Sequence, residues 1–480
     1  VQPNLVLAIC CLSLLMVSMD ATIVNVAVPS IRREFGASIS GLQWVIDAYT
    51  LVIASLLMFA GSMADRLGRR RVFQAGMALF MLGSLLCSLA PGIHALIAFR
   101  VVQALGATML NPVAMSIIVN TFTDPKARAR AIGFWGAVAG ISGALGPLLG
   151  GALTQSIGWR SIFWINLPIG VAAIVLAAIY IPESKAARAR RVDPVGQLLV
   201  FTALASLIYA VIEGRQMNWA SLPVAGLFVL SLLAVTSLLL YEPRRRDPLL
   251  DLRFFRSVPF TSAALIAICS FSMFAGFLFL NSLYLQEVRG LSSFRTGLYT
   301  LPLAVGTMLC SPLSGRMVGA YGTRPSLLAA GAAMILSALM LTHLAADSGL
   351  PMLLLAYAVF GIGFGLVNAP ITNTAVSGMP KAQAGLAAAV ASTSRQVGAS
   401  LGVAVAGTLV GVRVAHGLSF AEATHAFWWI MIGAGALVAA LGLLSNSAWA
   451  RRTSQRAAIL LEEPSTAESG KPATAMRFAK

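Results

Sequence analysis

Charge is what this 480-residue chain has least of. Asp, Glu, Lys and Arg together make up 11% of it, where soluble globular domains carry about a quarter. Folding such a composition in water would require burying nearly every residue, so an assembly of soluble domains is excluded. Histidine (4) and cysteine (5) are also scarce. Cys10, Cys11, Cys87, Cys269 and Cys310 all lie inside apolar runs without metal-ligand spacing, and His94, His343, His416 and His425 form no cluster. Neither a metal centre nor a disulfide framework is expected, and an enzyme of His/Asp or Cys/His type is not expected either. No GxxxxGK[ST] phosphate loop occurs, so nothing points to nucleotide-driven work or to a cofactor. Acid is the scarcer charge, 17 residues against 34 Lys and Arg. The basic residues sit in short clusters between apolar runs rather than on one polar face, which excludes a nucleic-acid partner.

What the chain has is apolar runs of about 20 residues or more, the length that crosses a hydrocarbon core of ~30 Å as a helix. They fall at roughly 4–28, 42–62, 72–90, 93–119, 130–154, 162–181, 194–213, 221–241, 259–283, 295–318, 326–344, 350–378, 384–411 and 425–449. The sequence therefore predicts an all-α polytopic membrane protein with fourteen spans and the bilayer as its surroundings. The first run is too long and too polar at its end for a cleaved signal peptide, so it is expected to be retained.

The charges orient these spans. Loops after even-numbered spans, with the C-terminal tail, hold 25 of the 34 basic residues, and loops after odd-numbered spans hold 7. The excess marks the cytoplasmic side, so both termini are expected there and the span count is expected to be even. The tail from 451 to 480 is polar and rich in Pro, Ser, Thr and Ala, and is expected to be mobile.

The second loop, "GSMADRLGRRR" at residues 61–71, puts one acid and four arginines between two nearly uncharged runs. Its arginines help set topology. Topology needs neither Asp65 nor Gly61 and Gly68, which fit a tight turn and close approach. A faint echo, "GRMVGAYGTR", recurs at 315–324, an offset of 254 residues. Two six-helix halves separated by two extra helices would give that offset, and parallel halves are common in transporters that alternate access around a central site.

Charges within the spans are costly and mark candidate function. Asp20 lies deep in the first span and is the candidate to take up and release a proton; the plainer reading is a packing acid bonded to Thr22 or Asn25. Arg100 lies in the fourth span as a fixed positive charge, with Gln103 one turn along on the same face; snorkelling to the outer interface is the alternative. Asp47 begins the second span, either at the outer mouth of a cavity or near the interface. Arg395, in the thirteenth, either lines the cavity or balances a carboxylate. Glu213 ends the seventh and reads as interfacial. With so few acids, a strongly polycationic substrate is not suggested.

Several stretches carry a family resemblance: "MDATIVNVAVPS" (19–30), "GSMADRLGRRR" (61–71), "RVVQALGATMLNP" (100–112), "GALGPLLGG" (143–151), "GWRSIFWINLPIG" (158–170) and "YLQEVRGLSSFRTGLYTLP" (284–302). Together they resemble the major facilitator superfamily, and within it the fourteen-span drug:proton antiporters of the EmrB/QacA type. Ala104 and Ser142 stand where that family more often has glycine.

The resemblance implies the major facilitator fold: an N-terminal six-helix bundle (1–181), two additional helices with linkers (182–258), a C-terminal six-helix bundle (259–450) and a cytoplasmic tail (451–480). It implies a proton-coupled exporter of amphipathic or cationic compounds in a bacterial cytoplasmic membrane, working as a monomer; a dedicated exporter of one antibiotic or metabolite is the alternative. Asp20, Asn25, Asp47, Arg100, Gln103 and Arg395 become proton-coupling or substrate residues. Gly61, Asp65, Arg66, Gly68, Arg69 and Arg70 become a gate that latches the halves together in the outward-facing state. Gly143, Gly146, Pro147, Gly150 and Gly151 become the bend of the fifth span that favours export.

Overall fold

The computed structural model describes residues 2–185, 193–245, 248–380 and 383–462. The basic residues Arg188, Arg190, Arg191, Arg246 and Lys381, and the tail from 463 onward, lie outside the described residues. The regular structure is helical: α1 (Pro3–Phe35), α2 (Ile39–Leu67), α3 (Arg69–Ser88), α4 (Ile93–Thr121), α5 (Pro125–Ser156), the single turn α6 (Ser161–Trp164) and α7 (Asn166–Tyr180) come first. Next are α8 (Pro194–Glu213) and α9 (Leu222–Tyr241). The remainder is α10 (Val258–Leu283), α11 (Ser293–Tyr299), α12 (Leu301–Tyr321), α13 (Thr323–Leu341), α14 (Leu350–Val376), α15 (Ala384–Ala415), α16 (Phe420–Leu444) and α17 (Ala448–Glu462).

Helices α1 to α7 pack on one another as one bundle and α10 to α16 as a second. The long helices satisfy most of their backbone internally, the condition for crossing lipid, with internal prolines interrupting α1, α4, α5, α12 and α14. Prolines open many of them at the first turn, where no N–H is needed, as in α1, α5, α8, α9 and α10. The repeat seen in the sequence has a structural counterpart. Gly68 joins α2 to α3 at φ 113° and Gly322 joins α12 to α13 at φ 78°. Both donate their N–H to the carbonyl four residues back, Ala64 and Val318. A left-handed backbone at both joints is the reason glycine recurs there.

Among the described residues, thirteen helices are long and apolar enough to cross a membrane. The expected span at 295–318 is the exception. It is broken at Thr300 into α11 and α12, and Thr307, Ser311, Ser314 and Arg316 dilute the apolar residues of α12. The tail also departs from expectation. Residues 448–462 form α17, because Ala450, Ala457 and Leu461, with the small Ser454 between them, make a stripe at helical spacing, and all four are buried. The hydroxyl of Ser454 donates to the Ser377 carbonyl at 3.1 Å, and Arg253 Nη1 donates to the Leu460 carbonyl at 2.8 Å.

The bundles meet at one end. Gln43 Nε2 in α2 donates to the carbonyls of Val403 and Ala404 in α15, at 3.1 and 2.7 Å. The Ser282 hydroxyl in α10 donates to the Asn25 carbonyl in α1 at 2.5 Å, and Gln286 Nε2 to that of Val26 at 2.9 Å. Arg32 pairs with Glu287 at 2.5 Å. All of these lie at the end away from the Gly68 and Gly322 joints. Toward those joints, a Cβ added at Gly133, Gly136, Gly143, Gly315 or Gly319 would meet nothing within 4 Å. The paired helices α8 and α9 flank the α2–α15 contact. Trp44 Nε1 donates to Glu213 Oε1 at 2.8 Å, and Thr408 Oγ1 donates to the Val211 carbonyl at 2.9 Å.

Candidate functional site

Helices α4 and α7 bring Asp20 its partners, and α3 braces them. Asp20 on α1 is fully buried, and Arg100 on α4 is 1% exposed. Arg100 Nη1 meets Asp20 Oδ2 at 2.6 Å. Gln103 Nε2, three residues along the same face of α4, donates to Asp20 Oδ1 at 2.8 Å. Asn166 Nδ2, at the first turn of α7, donates to the same oxygen at 3.0 Å. The Ser84 hydroxyl on α3 accepts from Gln103 at 3.2 Å and from Asn166 at 2.9 Å, and donates to the Phe163 carbonyl at 3.0 Å.

Two charges buried this deeply each cost several kcal/mol of lost hydration, on the order that only a close, fully bonded pair offsets. The site meets that condition. Arg100 has further partners besides the carboxylate: Gln103 Oε1 at 2.6 Å, the Val45 carbonyl at 3.1 Å, and the face of Tyr49, whose centroid lies 4.0 Å from the guanidinium carbon. Its charge is therefore supported from α2 as well as from α1.

Of the expected residues, Asp20, Arg100 and Gln103 come together. The snorkelling alternative for Arg100 does not hold, because the side chain is buried. Asp20 bonds neither Thr22 nor Asn25. Thr22 donates to the Ser18 and Met19 carbonyls, and Asn25 Nδ2 to those of Ala21 and Thr22, each within α1. Asn25 reaches the other bundle only through its backbone carbonyl.

Asp47 is also fully buried, but in the seam between bundles. Its Oδ1 accepts from Ser400 on α15 at 3.1 Å and from Thr50 at 3.3 Å, while Oδ2 has no hydrogen-bond partner among the described residues. Arg395 lies in the other bundle, away from Asp20. Its Nη2 donates to Thr372 Oγ1 at 2.7 Å, and among the described residues it pairs with no carboxylate.

The glycines of the fifth span divide by position. A Cβ at Gly146 would run into Thr22 Oγ1, and one at Gly150 would lie 2.6 Å from Ile23. A Cβ at Gly151 would strike the Ser293 backbone of α11, while Gly143 faces open space. Gly146 and Gly150 thus let α5 lie on α1 within three residues of Asp20. Gly151 lets α11 of the second bundle lie on α5, where Gly297 packs on the Pro147 carbonyl.

In the Gly68 loop, Asp65 pairs with Arg69 at 2.9 Å. Arg69 donates its N–H to the Ser184 carbonyl at 2.9 Å, and Arg70 Nη1 donates to that of Ile181 at 3.3 Å. The bonds of Asp65, Arg69 and Arg70 thus all stay within the first bundle. The nearest neighbour of a Cβ on Gly61 would be Pro112, at 4.0 Å.

Sequence reasoning missed Asn166, Ser84, Tyr49 and Glu183. Asn166 stands in "WINLPIG", a stretch noted only for resemblance. Ser84 and Tyr49 are uncharged residues in apolar runs, and nothing in their spacing singles them out.

A helical membrane protein with two facing bundles and a buried acid–guanidinium cluster in one of them has the architecture of a transporter. The family model described as Major Facilitator Superfamily matches residues 10–403, and the chain belongs to that superfamily. It is 38% identical over 400 residues to the multidrug resistance protein Stp of Mycobacterium tuberculosis, covering 83% of this chain and 74% of that protein. It is 35% identical over 404 residues to the tetracenomycin C resistance and export protein of Streptomyces glaucescens, covering 83% and 74%. With the methylenomycin A resistance protein of Bacillus subtilis it shares 33% identity over 441 residues, covering 91% and 92%.

Proposed function

We propose that the protein is a proton-coupled exporter of amphipathic drug-like compounds, with Asp20 as the proton-binding group. The Asp20–Arg100 pair is the observation that carries the reading, together with relatives whose names state drug resistance or export. When Asp20 takes up a proton, its pair with Arg100 is lost. Arg100 is not stranded, because Gln103 Oε1, the Val45 carbonyl and the Tyr49 ring still hold it. The neutral acid and the relaxed guanidinium loosen α1 against α4. Since α1 packs on Gly146 and Gly150 of α5, and α5 on α11 through Gly151, the shift has a short route to the seam between bundles.

The basic-residue excess supports a cytoplasmic location for the Gly68 and Gly322 joints and for both termini, in the bacterial inner membrane. On that orientation the bundles are closed on the outside, the cytoplasm-facing half of an alternating-access cycle. Helix α12 completes fourteen spans: the α2–α3 and α12–α13 joints are equivalent, and an odd count would put the termini on opposite sides. A proton carrying one charge across ~100 mV supplies ~2.3 kcal/mol, enough for roughly a fifty-fold gradient at ~1.4 kcal/mol per decade.

Relatives named for one antibiotic favour a narrow exporter as the second reading. Both are tested in inverted vesicles with dyes, quaternary ammonium compounds and neutral antibiotics. Proton-coupled efflux of at least one compound, lost in Asp20→Asn, supports the proposal. Coupled efflux that survives Asp20→Asn for every transported compound removes Asp20 from the role.

A further inference from the structure

Arg395 is a charge in an apolar span that, among the described residues, lacks the neutralising partner Arg100 has. Its Nη2 reaches Thr372 Oγ1 and, at 3.4 Å, the Asn368 carbonyl, and its Nε is buried with no hydrogen-bond partner. Its guanidinium carbon lies 5.7 Å from the Phe271 ring centroid on α10. Phe271 stands edge-on to Phe364 of α14 at 5.1 Å, and Phe364 stacks on Phe274 at 4.1 Å with 7° between planes. Phe271, Phe274, Asn368 and Arg395 are only partly buried and Thr372 is exposed, so the group has an open side.

On α10 that side faces the first bundle. Phe271 stands eleven residues, about three turns, before Ser282 and so shares the face of α10 on which Ser282 meets Asn25. Ser400 on α15 touches Asp47 of the first bundle, whereas Arg395, five residues and so about 140° round the helix from it, turns toward Phe271 of α10 and Thr372 of α14. Flat aromatic rings accept planar ligands with little loss of freedom. A guanidinium fork short of a carboxylate recognises a carboxylate or phenolate bidentately, and in a low-dielectric cavity such a bond is stronger than in water. A cationic compound would instead meet like charge here.

We propose that Arg395 with Phe271 and the Phe274–Phe364 stack forms a substrate subsite selecting planar aromatic compounds that carry an acidic group. The proposal rests on the export reading for its purpose, but its binding step is measured apart from proton coupling. The purified protein in lipid nanodiscs is titrated with 2-naphthoate, its neutral methyl ester and 2-naphthylmethylammonium, by equilibrium dialysis against empty nanodiscs.

The acid is expected to bind tightest. Arg395→Gln should weaken it about tenfold or more, as for a lost charged hydrogen bond, while leaving the ester within about twofold. Arg395→Lys should fall between, since it keeps the charge but not the fork. Phe271→Leu should weaken acid and ester alike. The proposal is overturned if wild type binds the three probes equally, prefers the cation, or binds no naphthoate. It is also overturned if Arg395→Gln weakens acid and ester equally, which would leave Arg395 as a tie between α15 and α14. Should Arg395→Gln not fold, the wild-type preference and Arg395→Lys decide. Failure of the export reading shows in the vesicle assay with Asp20→Asn and leaves these binding constants unaffected.

Discussion

The carboxylate of Glu183 accepts the backbone N–H groups of Arg70 and Arg71, at 3.2 and 3.3 Å, and so holds the first turn of α3 from 113 residues further along the chain. A Cβ on Gly68 would lie 2.5 Å from Glu183 Oε1, so the loop glycine and the distant acid fit only together. Gly68→Ala therefore combines a left-handed backbone with a clash. Transport and melting temperature in detergent are both expected to fall. Glu183→Gln keeps an acceptor and should lose less. Equal tolerance of both changes would mean that the joint is not held this way.

Breaking the central pair from one side should cost more than removing it from both. Arg100→Gln leaves Asp20 buried without its cation, a loss of about 3–5 kcal/mol in comparable buried pairs. Adding Asp20→Asn should recover much of the lost thermal stability while transport stays absent. A double variant no more stable than Arg100→Gln would show that the two side chains do not depend on each other.

The glycines of α5 give a contrast within one helix. Gly146→Ala and Gly151→Ala should abolish or sharply reduce efflux, because each places a methyl group into Thr22 or Ser293. Gly143→Ala has open space and should keep near-normal efflux at normal expression. Loss at all three positions alike would point to helix flexibility rather than close packing.

Asp65→Asn removes the charge that Arg69 pairs with. Arg69 is buried and Asp65 only partly exposed, but asparagine keeps an acceptor for Arg69 Nη2, so insertion and folding should be retained. If the loop acts as a gate, the efflux rate falls at unchanged protein level. An unchanged rate would leave topology as the role of these charges.

The helices and the two-bundle fold were readable because apolar runs of membrane length and the Gly68/Gly322 repeat are local signals. Asp20, Arg100 and Gln103 were readable because charge in an apolar span is conspicuous. Their union was not, since α1 and α4 meet only through tertiary packing. Ser84, Tyr49 and Ser400 were invisible for a related reason: a hydroxyl in a greasy helix is common, and only its neighbour shows what it holds. The helix α17 carried a legible stripe, hidden by a polar composition that suggested an unstructured tail. The break at Thr300 was missed because an apolar run says nothing of where its backbone turns.

Helix α8 makes the two sides of the molecule unequal. It touches α2 through Trp44 and Leu51 and α15 through Ala404 and Thr408, so one of the two crevices between bundles is shuttered along its lipid-facing flank. Among the described residues, the opposite crevice, between α5 and α12, has no such cover, and Ile141, Val305 and Leu309 stand exposed on the helices beside it. The α5–α12 flank is thus, among the described residues, the less covered of the two ways in from the bilayer.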